Sequence, residues 1–148
     1  MLLHRVIFKG KIKENATIFK GKKGVKYILE LLLKDSFEIL SYGAQGKFSE
    51  TYPVFRNIWE SNRIRAKIKK RIIYNELIRK DRLKEKQKFA ELRFLPKQYD
   101  FPSTILISGS RTVTIVWGEQ PIAFLINSNA VTKSNKNFFE LLWNIAKK

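Results

Sequence analysis

The amino-acid sequence predicts an α/β (mixed α+β) protein: a central mixed β-sheet flanked by helices, ending in a C-terminal β-meander and a closing helix. Three runs rich in β-branched and aromatic residues predict the meander, namely Ser103–Ser108, Thr112–Trp117 and Ile122–Ile126. Gly109–Arg111 and Gly118–Pro121 supply turn residues between them. Upstream, strand and helix patterns alternate, which favours helices packed on the faces of one sheet.

The pattern of apolar residues predicts the other elements. Val25, Ile28, Leu29 and Leu32 follow the i, i+3, i+4, i+7 spacing of a helix with one buried stripe. Pro53 lies early in the second helix or kinks it. The predicted strands before the meander are Ala16–Lys20, Phe37–Tyr42, Lys67–Tyr74 and Glu91–Leu95. The predicted helices are Lys22–Lys34, Phe48–Asn62, a charged surface helix Glu76–Phe89, and the closing helix Asn135–Lys147.

Length and composition predict one domain in the cytoplasm. The 148 residues are 44% hydrophobic, which suffices for one core, and the absence of cysteine excludes disulfides and thiolate metal sites. Met1–Phe8 is interrupted by Arg5 and has no cleavage site after it, so we predict no signal peptide. No apolar run approaches the roughly 20 residues of a membrane span, and we expect no membrane partner.

Residues for catalysis are scarce. His4 is the single histidine of the sequence, and the acidic residues are scattered singly. Histidine acid–base catalysis, His-ligated zinc and Ser-His triads therefore lack their residues. We predict a protein that is not an enzyme, with no cofactor and no metal site.

The formal charge of +17 indicates a polyanionic partner, although composition bias toward lysine gives the same signal. The segment from Arg63 to Lys88 has twelve basic residues against three acidic ones. One alternative function is therefore non-specific nucleic-acid binding through this segment, with Arg63, Arg65, Lys67, Lys69, Lys70 and Arg71 as candidate contacts. The other interpretation is a solvated face whose apolar residues point inward, these being Ile64, Ile68, Ile72 and Ile73.

Gly43–Lys47 is similar to a fragment of a phosphate-binding loop, but it lacks the full GxxxxGK[ST] spacing. Backbone amides that follow a strand can nevertheless bind an anion or a polar ligand.

Landmarks along the whole chain carry a resemblance to a known family. They are Phe19-Lys20-Gly21, Ile39–Gly43, Phe55 with Trp59 and Arg63, Arg71–Glu76, Glu91–Pro96, Pro121–Ala123 and Phe139–Trp143. In order and spacing they resemble the C-terminal effector domain of archaeal TrmB-like transcriptional regulators. The resemblance covers nearly everything after Ala16, and predicts an N-terminal extension over residues 1–15 and a single effector domain over residues 16–148.

The resemblance implies a phospholipase-D-like fold. In the regulators a domain of this fold senses a small molecule and often dimerises. Active enzymes of that fold carry a His-x-Lys-x4-Asp motif. Superposing the meander on that pattern puts Ser103, Ile105 and Ser110 at the three positions, so each functional group of the motif is replaced.

The regulators also place a winged helix-turn-helix before the effector domain, whereas Met1–Asn15 is too short to form one. We therefore expect a free-standing effector domain or a fragment, acting in transcriptional control as a homodimer or with a separate DNA-binding regulator.

We predict a non-enzymatic regulatory domain that binds a small-molecule effector or a protein. Open sheets of this type bind ligands at the carboxyl ends of their strands. The candidate ligand-binding residues at such strand ends, in the turns that follow and in the meander are Ser41, Tyr42, Gly43, Asn75, Glu76, Ser103 and Trp117.

Overall fold

The computed structural model describes residues 14–148, and a seven-stranded mixed β-sheet forms its centre. Across the sheet the strands lie in the order β1-β7-β6-β5-β2-β3-β4. Their bounds are β1 Asn15–Lys20, β2 Glu38–Ala44, β3 Lys69–Asn75, β4 Ala90–Leu95, β5 Ser103–Ser108, β6 Arg111–Val116 and β7 Ile122–Asn127. The predicted fold class is confirmed. The predicted extension, with His4, lies outside the described residues except for its last two.

The sheet has a parallel half and an antiparallel half. Strands β2, β3 and β4 are parallel, as helical crossovers between consecutive strands require. The predicted meander β5–β6–β7 is antiparallel throughout, and β1 extends it by pairing with β7. The two halves meet where β2 pairs antiparallel with β5.

The helices cover both faces of this sheet. They are α1 Gly21–Leu31, α2 Lys47–Thr51, α3 Phe55–Arg65, α4 Arg79–Lys84 and α5 Asn129–Ile145, with a 3-10 turn Glu76–Ile78 before α4. None of the helices within residues 14–148 is long and apolar enough to cross a membrane.

Three predicted helices differ from the structure. The helix expected over Phe48–Asn62 is two helices, α2 and α3, because Pro53 has no N–H to continue the first of them. The charged helix expected over Glu76–Phe89 ends at Lys84, and Phe89 has a left-handed backbone with φ 55°. The closing helix begins at Asn129, six residues before the predicted start, because the Ser128 hydroxyl caps it by accepting from the Val131 N–H at 3.2 Å.

A large apolar core lies between one sheet face and α1–α3. Its buried residues from the helices include Val25, Ile28, Leu29, Leu32, Tyr52 and Trp59, and those from the sheet include Ile39, Leu106, Val113, Ile115, Ala123 and Leu125. The Trp59 indole also donates to the Leu29 carbonyl at 2.6 Å, which joins α3 to α1.

The opposite sheet face is covered by α5. Phe139 and Trp143 are buried against Leu40, Ile73 and other residues of that face. Arg71 of β3 lies over both rings, at 5.1 and 5.4 Å from their centroids, and pairs with Glu140 at 2.6 Å. Both faces of β3 are therefore buried.

Candidate ligand site

A small cavity of about 60 Å³ lies on the α1–α3 face of the sheet, and its surface is mainly apolar with a few polar groups. Strand alternation brings Ser41 of β2 and Lys70 of β3 to this face, because Ser41 pairs with Ile72, two residues after Lys70. The polar side chains around the cavity are Ser41, Gln45, Lys47, Ser49, Arg56, Glu60, Lys70, Arg82 and Thr104, and the aromatic ones are Phe48, Trp59, Tyr74 and Trp117.

Ser41 contributes a hydroxyl that no other group uses. The residue is 1% exposed, and its Oγ has no hydrogen-bond partner among residues 14–148. A buried polar atom without a partner costs about 1–3 kcal/mol. Such an atom in the wall of a cavity indicates a position where a ligand or a water completes the hydrogen bonding.

Glu60 of α3 lies between two buried cations. Its Oε1 accepts from Lys70 Nζ at 2.7 Å, and its Oε2 accepts from Arg63 at 2.8 Å. Burial lowers the pKa of Lys70 to about 8, although the Glu60 carboxylate opposes that shift. Burial alone would raise the pKa of Glu60, but the charges of Lys70 and Arg63 and their hydrogen bonds lower it.

Two further arginines lie beside this group. Arg56 of α3 and Arg82 of α4 share the carboxylate of Glu85, at 2.9 and 3.1 Å. The Arg82 Nε is buried and has no partner within the described part of the chain. The Glu60 group and the Glu85 group together form a charge cluster of four cations and two carboxylates.

Trp117 forms one wall of the cavity. Its indole N–H donates to Thr104 Oγ1 at 2.8 Å, and that hydroxyl in turn donates to the Gly43 carbonyl at 3.1 Å. The Trp117 ring stacks on Phe48 of α2, with centroids 6.3 Å apart. This wall is therefore fixed by packing on one side and by hydrogen bonds on the other.

Gly43 does not line the cavity, but it sets the path of the chain next to it. Its φ is 77°, and a Cβ at this position would lie 2.3 Å from the Ser103 carbonyl oxygen. Only glycine fits this close approach of β2 to β5. The residues after it, Gln45, Gly46 and Lys47, reach the cavity lining.

The structure therefore brings together two of the seven predicted ligand residues, Ser41 and Trp117, with Gly43 adjacent. Tyr42 and Ser103 lie on the opposite face by strand alternation, and the Tyr42 ring packs against Phe101 and Phe138.

The remaining two, Asn75 and Glu76, have structural contacts. The Asn75 amide donates to two carbonyls of the 97–99 loop and caps the 3-10 turn by accepting from the Leu77 N–H. Glu76 pairs with Arg79 on the surface.

The six predicted nucleic-acid contacts differ in their burial. Arg63 is 0% exposed and Lys70 5%, so the expectation that these two lie on an accessible basic surface is wrong. Arg71 is half-buried and neutralised by Glu38 and Glu140. Of this set, Arg65, Lys67 and Lys69 are exposed.

Two of the positions that the resemblance matches to the phospholipase motif have structural contacts. Ile105 packs with the α5-side core, and the Ser110 hydroxyl donates to Asn127 Oδ1 at 3.2 Å. Within residues 14–148, no three His, Cys, Asp or Glu side chains are grouped so that they could hold a metal ion.

This sheet, with its parallel and antiparallel halves and its two helical layers, is the phospholipase-D-like fold. Nuc from Salmonella typhimurium, a phospholipase D family member, is similar over 90% of this chain and 97% of its own, with a TM-score of 0.64 and 12% identity. NucT from Helicobacter pylori is similar over 90% of this chain and 98% of its own, with a TM-score of 0.64 and 10% identity.

TrmBL2, an archaeal chromatin protein with a novel mode of DNA binding, is also similar, with a TM-score of 0.64 and 21% identity over 90% of this chain. The matched region is 54% of TrmBL2, so this chain spans about half of that protein. The predicted resemblance to TrmB-like proteins is thus confirmed at the level of the fold. No family model and no curated protein sequence matches the chain.

Proposed function

We propose that this chain is a non-enzymatic regulatory domain related to TrmB-like transcriptional regulators, and that it senses a small molecule in the cavity beside Ser41. The observation that carries the proposal is the buried, unpartnered Ser41 Oγ in a cavity that is also lined by Glu60 and Lys70 from one ion-pair group and by Arg56 and Arg82 from another. Polar groups that converge on a partly enclosed cavity are typical of ligand sites.

The resemblance supports a regulatory role over phosphodiester cleavage. It implies that Ser103, Ile105 and Ser110 replace the histidine, lysine and aspartate of the enzymes of this fold. Ile105 provides neither a charge nor a proton, and the Ser110 hydroxyl is held by Asn127. A nucleophile and its acid–base partner are both required for that chemistry.

The position of the cavity also explains how ligand binding would change the conformation of the domain. Its lining comes from the sheet through Ser41, from α3 through Arg56 and from α4 through Arg82. A ligand that contacts all three favours the conformer in which they lie together. The surface that changes would then be read by a homodimer partner or by a separate DNA-binding regulator.

The test has two readouts on the purified full chain. A metabolite panel is screened by thermal shift, and co-purified small molecules are sought by native mass spectrometry. Ser41→Leu should fill the cavity and abolish the shift, whereas Ser61→Leu is a control at an exposed position of α3 outside the lining. Metal-independent cleavage of a phosphodiester substrate by wild type would contradict the proposal.

A second candidate function is non-specific nucleic-acid binding, which a different surface favours. The buried Arg63 guanidinium donates to the carbonyls of Ile68, Lys88 and Phe89 at 2.7, 2.7 and 3.0 Å. These bonds hold the 88–89 segment against residues 67–69, so Lys67, Lys69 and Lys88 form one exposed basic surface. The DNA binding of TrmBL2 supports this candidate.

A further inference from the structure

We propose that the cavity beside Ser41 binds the phosphate group of a small metabolite. This inference rests on the proposed sensing function and gives it a ligand class. It depends on the net charge of the cluster, on the two unused polar atoms in the lining and on the volume of the cavity.

The charge of the cluster favours a dianion. Lys70 and Arg63 share Glu60, and Arg56 and Arg82 share Glu85, which leaves two positive charges in excess. Both oxygens of Glu60 are already occupied by cations, so this carboxylate in the lining does not repel an anion as a free one would. A phosphate monoester carries a charge of about −1.5 to −2 at pH 7, which matches the excess.

The two unused polar atoms in the lining can both donate to an anion. They are the Ser41 hydroxyl and the Arg82 Nε–H, neither of which has a hydrogen-bond partner in residues 14–148. They come from β2 and α4, and Lys70 adds an ammonium group from β3. Donors on three separate elements suit a tetrahedral group whose oxygens point in different directions.

The volume of the cavity limits the size of what enters it. One water needs at least about 10–15 Å³, so a cavity of about 60 Å³ has room for a few waters. A phosphate group fits this space. A sugar ring or a nucleoside needs a pocket nearer the several hundred Å³ of typical ligand sites, so the rest of the metabolite has to lie at the cavity mouth.

The experiment titrates the full chain by calorimetry with inorganic phosphate and with glycerol 3-phosphate, and uses sulfate, acetate and chloride at equal ionic strength as comparisons. We expect phosphate to bind more tightly than acetate or chloride. Tighter binding of glycerol 3-phosphate would identify a monoester as the ligand, and equal binding would identify the free ion.

Adjacent lysines provide matched variants. Lys70→Met removes a charge from the cavity, and Lys69→Met removes the same charge from the exposed neighbouring position. We expect phosphate affinity to fall at least tenfold in Lys70→Met and to be unchanged in Lys69→Met. Ser41→Ala should reduce affinity about tenfold while it leaves the fold intact, since it removes one hydrogen bond to a charged group.

Phosphate binding that is no tighter than chloride binding, or an equal loss in both lysine variants, would overturn the inference. A neutral metabolite that stabilises wild type but not Ser41→Leu would show that the cavity senses a different ligand, so the proposed function would stand without phosphate. If no compound binds to the cavity, both fail.

Discussion

At the residue scale, Arg63 has a structural role, although its charge and its place in a basic segment suggest a surface residue. Its guanidinium is fully buried, pairs with Glu60 and donates to three backbone carbonyls. Arginine can satisfy so many acceptors because its five N–H groups lie in one rigid fork. The side chain connects α3 to the starts of β3 and β4.

We predict that Arg63→Met destabilises the fold by about 3–5 kcal/mol, because it leaves Glu60 partly unpaired and takes the arginine donor from the Ile68 and Lys88 carbonyls, whereas the Phe89 carbonyl keeps the Lys70 N–H. Urea denaturation followed by circular dichroism measures this free energy of unfolding. Arg65→Met removes an exposed arginine from the same helix and should change it by less than about 0.5 kcal/mol. Equal effects of the two substitutions would contradict the assignment.

Lys70 should give the stability of the protein a pH dependence. Its pKa is about 8 in the fold, against 10.5 for an ordinary lysine. Between these values the unfolded chain binds more protons than the folded one, so the free energy of unfolding rises with pH, by at most about 1.4 kcal/mol per unit. The charges that face this ammonium are Glu60, Arg63 and Arg56, all from α3.

The prediction is checked by urea denaturation of wild type and Lys70→Met from pH 7 to pH 10. The difference in stability should shift in favour of wild type as the pH rises above 8. Lys69→Met is the control for loss of a lysine at the exposed neighbouring position. Parallel pH curves for wild type and Lys70→Met would show that folding does not lower the pKa of Lys70.

Part of the site could be predicted from the sequence. Ser41 and Trp117 were predictable because strand ends and turns are exposed to ligands in open sheets. Lys70 was assigned to a basic surface, although alternation puts it on the same strand face as Ile68 and Ile72. The partners Glu60 and Arg56 come from α3 and Arg82 comes from α4, and only the fold brings them to Lys70 and Ser41.

At the element scale, the junction between β2 and β5 depends on Gly43. Its φ of 77° strains any other residue, and the register of β2 against β3 shifts between Tyr42 and Ala44. The strand thus changes direction where it approaches Ser103, and it continues into the segment that reaches the cavity.

We predict that Gly43→Ala costs about 3–5 kcal/mol and Gly109→Ala about 1 kcal/mol. Both glycines have positive φ, so both substitutions introduce backbone strain. In Gly43→Ala the new Cβ would also lie 2.3 Å from the Ser103 carbonyl oxygen, whereas in Gly109→Ala the nearest atom is 3.7 Å away. Thermal denaturation of the two variants compares them, and equal losses would show that the junction tolerates a side chain.

Strands were easier to predict than helices in this chain, for a physical reason. The meander strands β5, β6 and β7 are dense in β-branched and aromatic residues, and turn residues bound them. The closing helix starts in Asn129–Ser134, which is largely polar. The apolar periodicity in the sequence therefore begins several residues after the helical backbone does. The start depends on the Ser128 cap, and a single hydroxyl does not separate a cap from a loop.

At the scale of the whole molecule, the 30 basic residues behind the charge of +17 fall into two groups. Some are internal: Arg63, Lys70 and Arg71 pair with carboxylates around β3. Others are exposed, and Lys67, Lys69 and Lys88 lie together because the buried arginine holds their backbones in place. Charge density along a sequence therefore does not separate a nucleic-acid surface from a buried ion-pair cluster.

Salt dependence distinguishes a nucleic-acid surface from a general effect of charge. If duplex DNA binds at Lys67, Lys69 and Lys88, log K falls with log salt by about 0.9 for each phosphate contacted, and replacing all three with alanine reduces that slope by roughly three. The charge-matched control replaces Lys133, Lys136 and Lys148, which are exposed elsewhere. Fluorescence anisotropy across a salt series measures both slopes. Equal slopes for the two triple variants would assign the binding to net charge, and no binding at low salt would exclude the surface altogether, because counterion release is strongest there.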